Sequence, residues 1–276
     1  MVSASFFLDG VLFSLVPTTV FLLPDLAQNA AVIFAVNSIA FMLGAAALGR
    51  LGDVVGRRLG LITSLAIYTA GALWFALAYW AGALDLAVAI LSTSLINFGV
   101  GGDVGLAYAA LAKFSPPRRR GAALMLATSF WNIGAAVIAA LALQYAELAA
   151  DPYTAVFYTF LTAVALAALV LVARLHIPES SRRLAARGRE AEAKALAEKY
   201  GADHPPREEE RKSLNGYRGR VAVFAAAFTA QLLTYNIAAY YLPYAPGFAY
   251  GAELAPLNVA AANAGAAGAP FCCYPS

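Results

Sequence analysis

The chain has 276 residues, 61% of them hydrophobic and only 13% charged, with a formal net charge of +3. A soluble globular domain carries roughly 25% charged residues, so this composition points away from an ordinary soluble domain and toward a membrane protein. Cys272 and Cys273 are the only cysteines and stand side by side, which excludes a disulfide framework and a cysteine-built metal site.

In chain order, apolar runs approaching or exceeding the ~20 residues that cross a bilayer as a helix are expected at 4–23, 30–48, 59–80, 86–112, 121–145, 153–175 and 219–242. They do not alternate in polarity as barrel strands do. An eighth run begins near Leu257 and stops almost at once. The first run has no basic flank and is interrupted by Asp9, so it reads as a span rather than a cleaved leader. The basic residues then set the orientation. Arg50, Arg57 and Arg58 lie between spans two and three, Lys113 and Arg118 to Arg120 between four and five, and the others from Arg174 to Arg220. The first, third and fifth connections carry Asp25, Asp85, Glu147 and Asp151 instead. All 19 basic residues therefore fall on one side. The positive-inside rule makes that side, and the N-terminus, cytoplasmic.

The one long connection starts at His176. Helix formers run from Ser181 to Tyr200, with Glu190 and Lys194 spaced as an i,i+4 pair, and Gly201 ends them. "HPPREEERK" follows as a polar linker. His176 and His204 are isolated loop histidines without neighbouring ligand residues, so no metal is expected. The domain organisation expected is a six-span bundle over 1–175, a cytoplasmic linker with an amphipathic helix over 176–218, and the start of a second bundle over 219–276.

"GRLGDVVGRRLG", Gly49 to Gly60, stands out as a charged, glycine-rich stretch between spans two and three. Gly49, Gly52 and Gly56 permit tight turning and close helix approach. Asp53 is placed to accept from unpaired amides at the start of span three. Arg57 and Arg58 can pair with Asp53 or with lipid phosphates. "FGVGGDVG" is no nucleotide loop: Val104 fails the last glycine position and no strand precedes it. The arginines at 118–120 suit a juxtamembrane position better than nucleic acid.

Gly49, Leu51, Asp53, Gly56, Arg57 and Arg58 resemble the signature loop of the major facilitator superfamily, G-x-L-x-D-x-x-G-R-R/K. Three further stretches resemble its sugar porter branch. Gly101, Gly102, Asp103, Pro116, Arg120 and Gly121 fit the G-G-E/D region of span four, with Gly105 in place of a proline and Lys113 in place of an acid. "PESSRRL", Pro178 to Leu184, is similar to the P-E-S-P-R-x-L after helix six, and Gln231, Asn236, Tyr240 and Tyr241 match the span-seven pattern. The resemblance implies an all-α membrane fold, the six-helix N-terminal half of a facilitator plus helix seven and a partial eighth. It also implies a conformational latch at Gly49, Asp53, Gly56, Arg57 and Arg58, and a cytoplasmic network of Lys113, Arg120, Glu179 and Arg182.

Two acids lie inside spans, where a charge usually faces a cavity or a partner. Asp9 and Asp103 both belong to the cytoplasmic half and are the candidates for proton coupling. Asp9 stands where sugar–proton symporters carry their first-helix aspartate, but Thr93 stands where they carry a fourth-helix arginine. Thr128, Asn132, Gln231, Asn236 and Tyr240 are the candidate solute contacts, because amides and hydroxyls suit sugar hydroxyls. No nucleophile–base constellation is visible, so an enzyme is not expected, nor a cofactor. The function implied is secondary active transport of a small, polar, sugar-like solute across the cytoplasmic membrane by alternating access, coupled to protons. Solute, protons and the bilayer are the partners. A phosphate or organic-anion transporter is the alternative, and a non-transporting membrane sensor the rival from another class. The switch of composition at "PFCCYPS" suggests that the C-terminal half, an implied structural partner, is missing and that the fragment does not transport alone.

Overall fold

The structure is a computed structural model that describes residues 2–115, 120–175, 188–200, 218–242 and 254–272. Six long helices come first: α1 (Val2–Thr19), α2 (Ala30–Val55), α3 (Arg57–Trp80), α4 (Leu86–Phe114), α5 (Arg120–Leu148) and α6 (Pro152–Leu175). The linker contributes α7 (Glu190–Tyr200), and α8 (Arg218–Asn236) and α9 (Ala255–Cys272) follow. No strand occurs among the described residues. By length and composition α2 to α6 can each cross a membrane, and α1 is a shorter apolar helix. Val32, Ile39, Met42 and Leu43 of α2 are exposed, as a lipid-facing surface requires.

The helix ends use the acids of the expected outer loops. Asp85 caps α4 by accepting from the Val88 amide at 2.7 Å. Asp151 does the same for α6, taking the Thr154 amide at 3.0 Å and the Thr154 hydroxyl at 2.7 Å. At the other face the chain departs from expectation. α2 does not end at residue 48 but continues through "GRLGDVV" to Val55. Only Gly56 separates it from α3, with φ 107° and ψ 151°, a conformation that side-chain-bearing residues rarely adopt.

Four of the six helices meet in two crossings of the same construction. A Cβ on Gly10 of α1 would stand 2.0 Å from the Trp131 carbonyl oxygen of α5, and one on Gly134 of α5 would stand 2.0 Å from that of Phe7. In the α2–α4 pair, Gly44 meets the Phe98 carbonyl at 1.9 Å and Gly101 meets that of Phe41 at 2.1 Å. Backbones therefore touch at both places, and only glycine fits. All four helices carry the same signature, an aromatic residue three positions before the glycine: "FLDG", "FMLG", "FGVG" and "WNIG". The spacing repeats as well, with 91 residues from Gly10 to Gly101 and 90 from Gly44 to Gly134. Around these crossings Leu8, Leu12, Leu15, Leu65, Ile96 and Phe160 are fully buried. Phe75 of α3 stacks on Phe160 of α6 with ring centroids 4.0 Å apart.

The C-terminal segment corrects a second expectation. The eighth run does not stop at once: α9 is an 18-residue helix. It lies against α5 and α1, with Ala255, Val259 and Asn263 buried. The described side chains of α8 are exposed from Arg218 to Thr234. Its end is tied down by the Tyr235 hydroxyl donating to Asn263 Oδ1 at 2.5 Å and by Tyr241 edge-on to Phe34. In the linker, the chain turns at Gly188 with φ 79° and α7 begins at Glu190, not within an unbroken helix. The side-chain pair at its start is Arg189 to Glu192, at 2.6 Å. His176 and His204 lie outside the described residues.

Candidate functional site

Three ionisable side chains from three helices meet inside the bundle. Arg174 sits on the last turn of α6 yet is only 2% exposed, because its side chain runs back into the bundle toward α4. Its two terminal nitrogens grip Asp103 of α4, Nη1 to Oδ1 at 2.7 Å and Nη2 to Oδ2 at 2.5 Å. Nη1 also donates to the Leu61 carbonyl of α3 at 2.5 Å. The planar fork thus satisfies both carboxylate oxygens of Asp103, the geometry in which a buried ion pair holds together best.

Asp9 of α1 is fully buried beside this pair, within electrostatic reach of Asp103 and Arg174. Both of its carboxylate oxygens lack a hydrogen-bond partner among the described residues. The Tyr68 hydroxyl of α3 and Nε of Arg174 are likewise buried and unpartnered. Two carboxyl groups therefore share one guanidinium. With both acids ionised the cluster carries one uncompensated negative charge. A single proton would bring it to neutrality and supply a donor. Burying an unpaired charge is costly, so clusters of this composition are places where a proton can do work.

The polar groups ten residues earlier on α4 behave differently. Thr93 donates to Asn37 Oδ1 of α2 at 3.1 Å, Ser94 reaches the same oxygen at 3.2 Å, and Asn97 bonds back to the Thr93 carbonyl at 3.0 Å. Where a fourth-helix arginine was sought, the chain has a neutral, satisfied network.

The other sequence-predicted residues scatter. Asp53 is exposed and does not cap α3; its carboxylate takes Arg57 Nη2 at 3.3 Å, one turn on. Gly52 packs against Leu106, whereas Gly49 faces open space, so only Gly56 makes the turn. Arg58 has a partner of its own. Thr128 shares a 2.8 Å hydrogen bond with the Tyr108 hydroxyl and bonds the Leu124 carbonyl at 3.1 Å. Asn132 is buried next to Trp131, which packs on Phe13 at 5.3 Å. Asn236 is half-buried and ends α8, where the helix widens into a π-turn over Ile237–Tyr241. Arg120 is exposed at the start of α5. The side chains of Lys113, Gln231 and Tyr240 are outside the described set, as are Glu179 and Arg182 altogether. The residue that sequence reasoning missed is Arg174. Its signal was that it is the last residue but one of an otherwise apolar span.

The comparisons fit this architecture. The family model described as "Sugar (and other) transporter" matches residues 23–245. The inner membrane metabolite transport protein YgcS of Escherichia coli is 31% identical over 163 residues, 59% of this chain and 35% of that protein. Myo-inositol transporter 2 of Cryptococcus neoformans is 29% identical over 177 residues, 63% of this chain and 31% of that one. The chain thus spans about a third of the length of these relatives. Among solved structures, the major facilitator superfamily proton:xylose symporter XylE bound to 6-bromo-6-deoxy-D-glucose superposes with a TM-score of 0.65 at 18% identity, covering 72% of this chain and 48% of that one. A partially occluded inward-open conformation of the xylose transporter XylE from E. coli gives 0.65 at 15% identity, covering 98% and 67%. With the helical fold shared and the family model covering most of its length, the chain is a multi-pass membrane protein that belongs to the sugar (and other) transporter family.

Proposed function

We propose that this chain is part of a secondary transporter that moves a small polyhydroxylated solute across the cytoplasmic membrane by alternating access, driven by protons. The observation that carries this reading is Asp9, a buried carboxyl with neither oxygen hydrogen-bonded, beside the Asp103–Arg174 pair. A proton taken up from one side and released to the other at Asp9 changes the net charge of the cluster by one. That is the currency a gradient-driven carrier needs. The relatives named above for metabolites, myo-inositol and xylose support a polyol or sugar as the solute. Thr128, Asn132, Gln231, Asn236 and Tyr240 are the side chains we assign to it. Gly49, Asp53, Gly56, Arg57 and Arg58 form the latch on the cytoplasmic face, with Lys113, Arg120, Glu179 and Arg182 as its surrounding network, and the N-terminus is cytoplasmic too. Residues 1–175 act as one bundle, 176–218 as the linker and 219–276 as the beginning of a second bundle. The pathway lies between two such bundles, so the 276 residues alone do not transport.

The test is a chimera that joins residues 1–218 to the C-terminal half of the xylose transporter XylE, reconstituted in proteoliposomes. An imposed proton gradient is expected to drive saturable uptake of labelled xylose or myo-inositol, and Asp9→Asn is expected to abolish accumulation while sparing exchange. Accumulation that survives Asp9→Asn would remove Asp9 from coupling. Gradient-driven uptake by the 276-residue chain alone would overturn the need for a second bundle.

A further inference from the structure

Arg174 is in an unusual position for a merely structural cation. Its bonds spread over two helices, through Asp103 of α4 and the Leu61 carbonyl of α3. Its Nε has no hydrogen-bond partner, and Asp9 and Tyr68, whose oxygens are also buried and unpartnered, lie within electrostatic reach of the guanidinium. Asp103 of α4, Arg174 of α6 and Tyr68 of α3 are the ionisable groups acting on Asp9 or on its neighbours. α5 and α9, which also pack on α1, bring no charged group to it among the described residues. Among the described residues, Arg174 is therefore the cation placed to answer a negative charge on Asp9. Thr93, which stands where sugar–proton symporters carry a fourth-helix arginine, is engaged with Asn37.

We propose that Arg174 is a switching residue that changes partner: it holds Asp103 and the Leu61 carbonyl while Asp9 carries its proton, and turns its guanidinium to Asp9 when that proton leaves. The inference rests on the proton-coupling reading of Asp9 and adds the element that would link it to the cytoplasmic face. The proton passes from the Asp9 carboxyl to water. No covalent bond other than that O–H is broken, and one set of N–H···O contacts replaces another. Leu61 lies four residues after Arg57, near the start of α3, directly beyond the Gly56 turn. Releasing its carbonyl frees the α3 end that bears the latch. Discharge at Asp9 would then loosen the same corner that Asp53 and Arg57 close. Arg174 acts here through Asp9 and Asp103, as a positioning residue.

Infrared difference spectra of the 276-residue chain in lipid nanodiscs, recorded across a pH titration, test this without any transport assay. Asp9→Asn and Asp103→Asn assign the bands. The expected result is that the protonated-carboxyl band of Asp9 disappears and the carboxylate stretch of Asp103 shifts with one common midpoint, because Asp103 loses its bidentate partner as Asp9 gains one. In Arg174→Lys, which keeps the charge but not the fork, the common midpoint should split. An Asp103 band that stays fixed while Asp9 titrates would overturn the switch and leave proton coupling standing. A buried carboxyl that never titrates would overturn both.

Discussion

Asp9 lies on α1 and Asp103 on α4, the first helices of two successive three-helix units, α1–α3 and α4–α6, and each lies within two residues of a crossing glycine, Gly10 or Gly101. Their surroundings differ in one respect. Asp103 has both oxygens filled by Arg174, and Asp9 has neither filled. The backbone scaffold is repeated and the charge compensation is not. Repetition supplies a frame that holds two acids near each other, and the single guanidinium pairs with one of them in this structure and leaves the other available. A symmetric site with two arginines would be neutral in either repeat and would have nothing for a proton to change.

Removing the guanidinium attacks that difference hardest. Arg174→Leu leaves two buried acids without a cation and is expected to cost about 3–5 kcal/mol of stability, the usual price of orphaning one side of a buried ion pair. Thermal unfolding in detergent reads it out. Replacing the pair together, with Asp103→Leu added, should recover most of that loss. Asp9→Asn, which removes no observed contact, should leave the melting point close to the parent. Equal damage from Asp9→Asn and Arg174→Leu would mean that the two acids are not distinct.

The next largest effect concerns what the repeats share. Gly44→Ala and Gly134→Ala each drive a methyl into a backbone carbonyl about 2 Å away. Each should lower stability by about 1–3 kcal/mol, the usual range for overpacking. Gly105→Ala, on α4 but facing open space, should stay within about 0.5 kcal/mol. Similar losses at Gly44 and Gly134 would confirm that the two crossings bear comparable load; a loss at only one would rank them.

Smaller effects fall outside the membrane. Asp53→Asn removes one exposed ion pair to Arg57. It should leave the melting point unchanged while slowing exchange between inward- and outward-facing forms in the XylE chimera, measured as the rate of solute counterflow. At the opposite face, hydrogen bonds from the Thr154 hydroxyl and amide hold the Asp151 carboxyl below its usual value. The cap contributes in full above about pH 3.9, the ordinary aspartate value, and fades as pH falls through the lower folded value. Acidification should therefore raise amide exchange at Thr154 and Ala155.

Much of this was legible in the amino-acid order. Each of the six span positions comes from a run of apolar residues, and the glycine-rich signature at 49–58 located the α2–α3 corner. Arg174 was not legible, because an arginine at the end of a span reads as an anchor to the interface. Only the folded bundle shows that its flexible stem turns inward to Asp103. The end of α2 was misjudged for a related reason. Polar residues after Leu48 mark where the bilayer ends, and a helix need not end there with it. Asp53 was expected as a cap by its spacing from α3. The single-residue turn at Gly56 puts it instead a full turn back on α2, in register with Arg57. The length of α9 was underestimated: its start was read near Leu257, but the helix runs on through the Ala- and Asn-rich turns to Cys272.

The two glycine crossings carry one more implication. Each joins a helix of the first unit to a helix of the second, α1 to α5 and α2 to α4, and neither lies within a unit. A lone three-helix unit would therefore expose both of its contact glycines with nothing to meet them. Its simplest way to bury them is to pair with a second copy inserted upside down. The spacing of 90 residues in one pair and 91 in the other is what two such units joined end to end in a single chain would give, with each unit covering the glycines the other would leave bare.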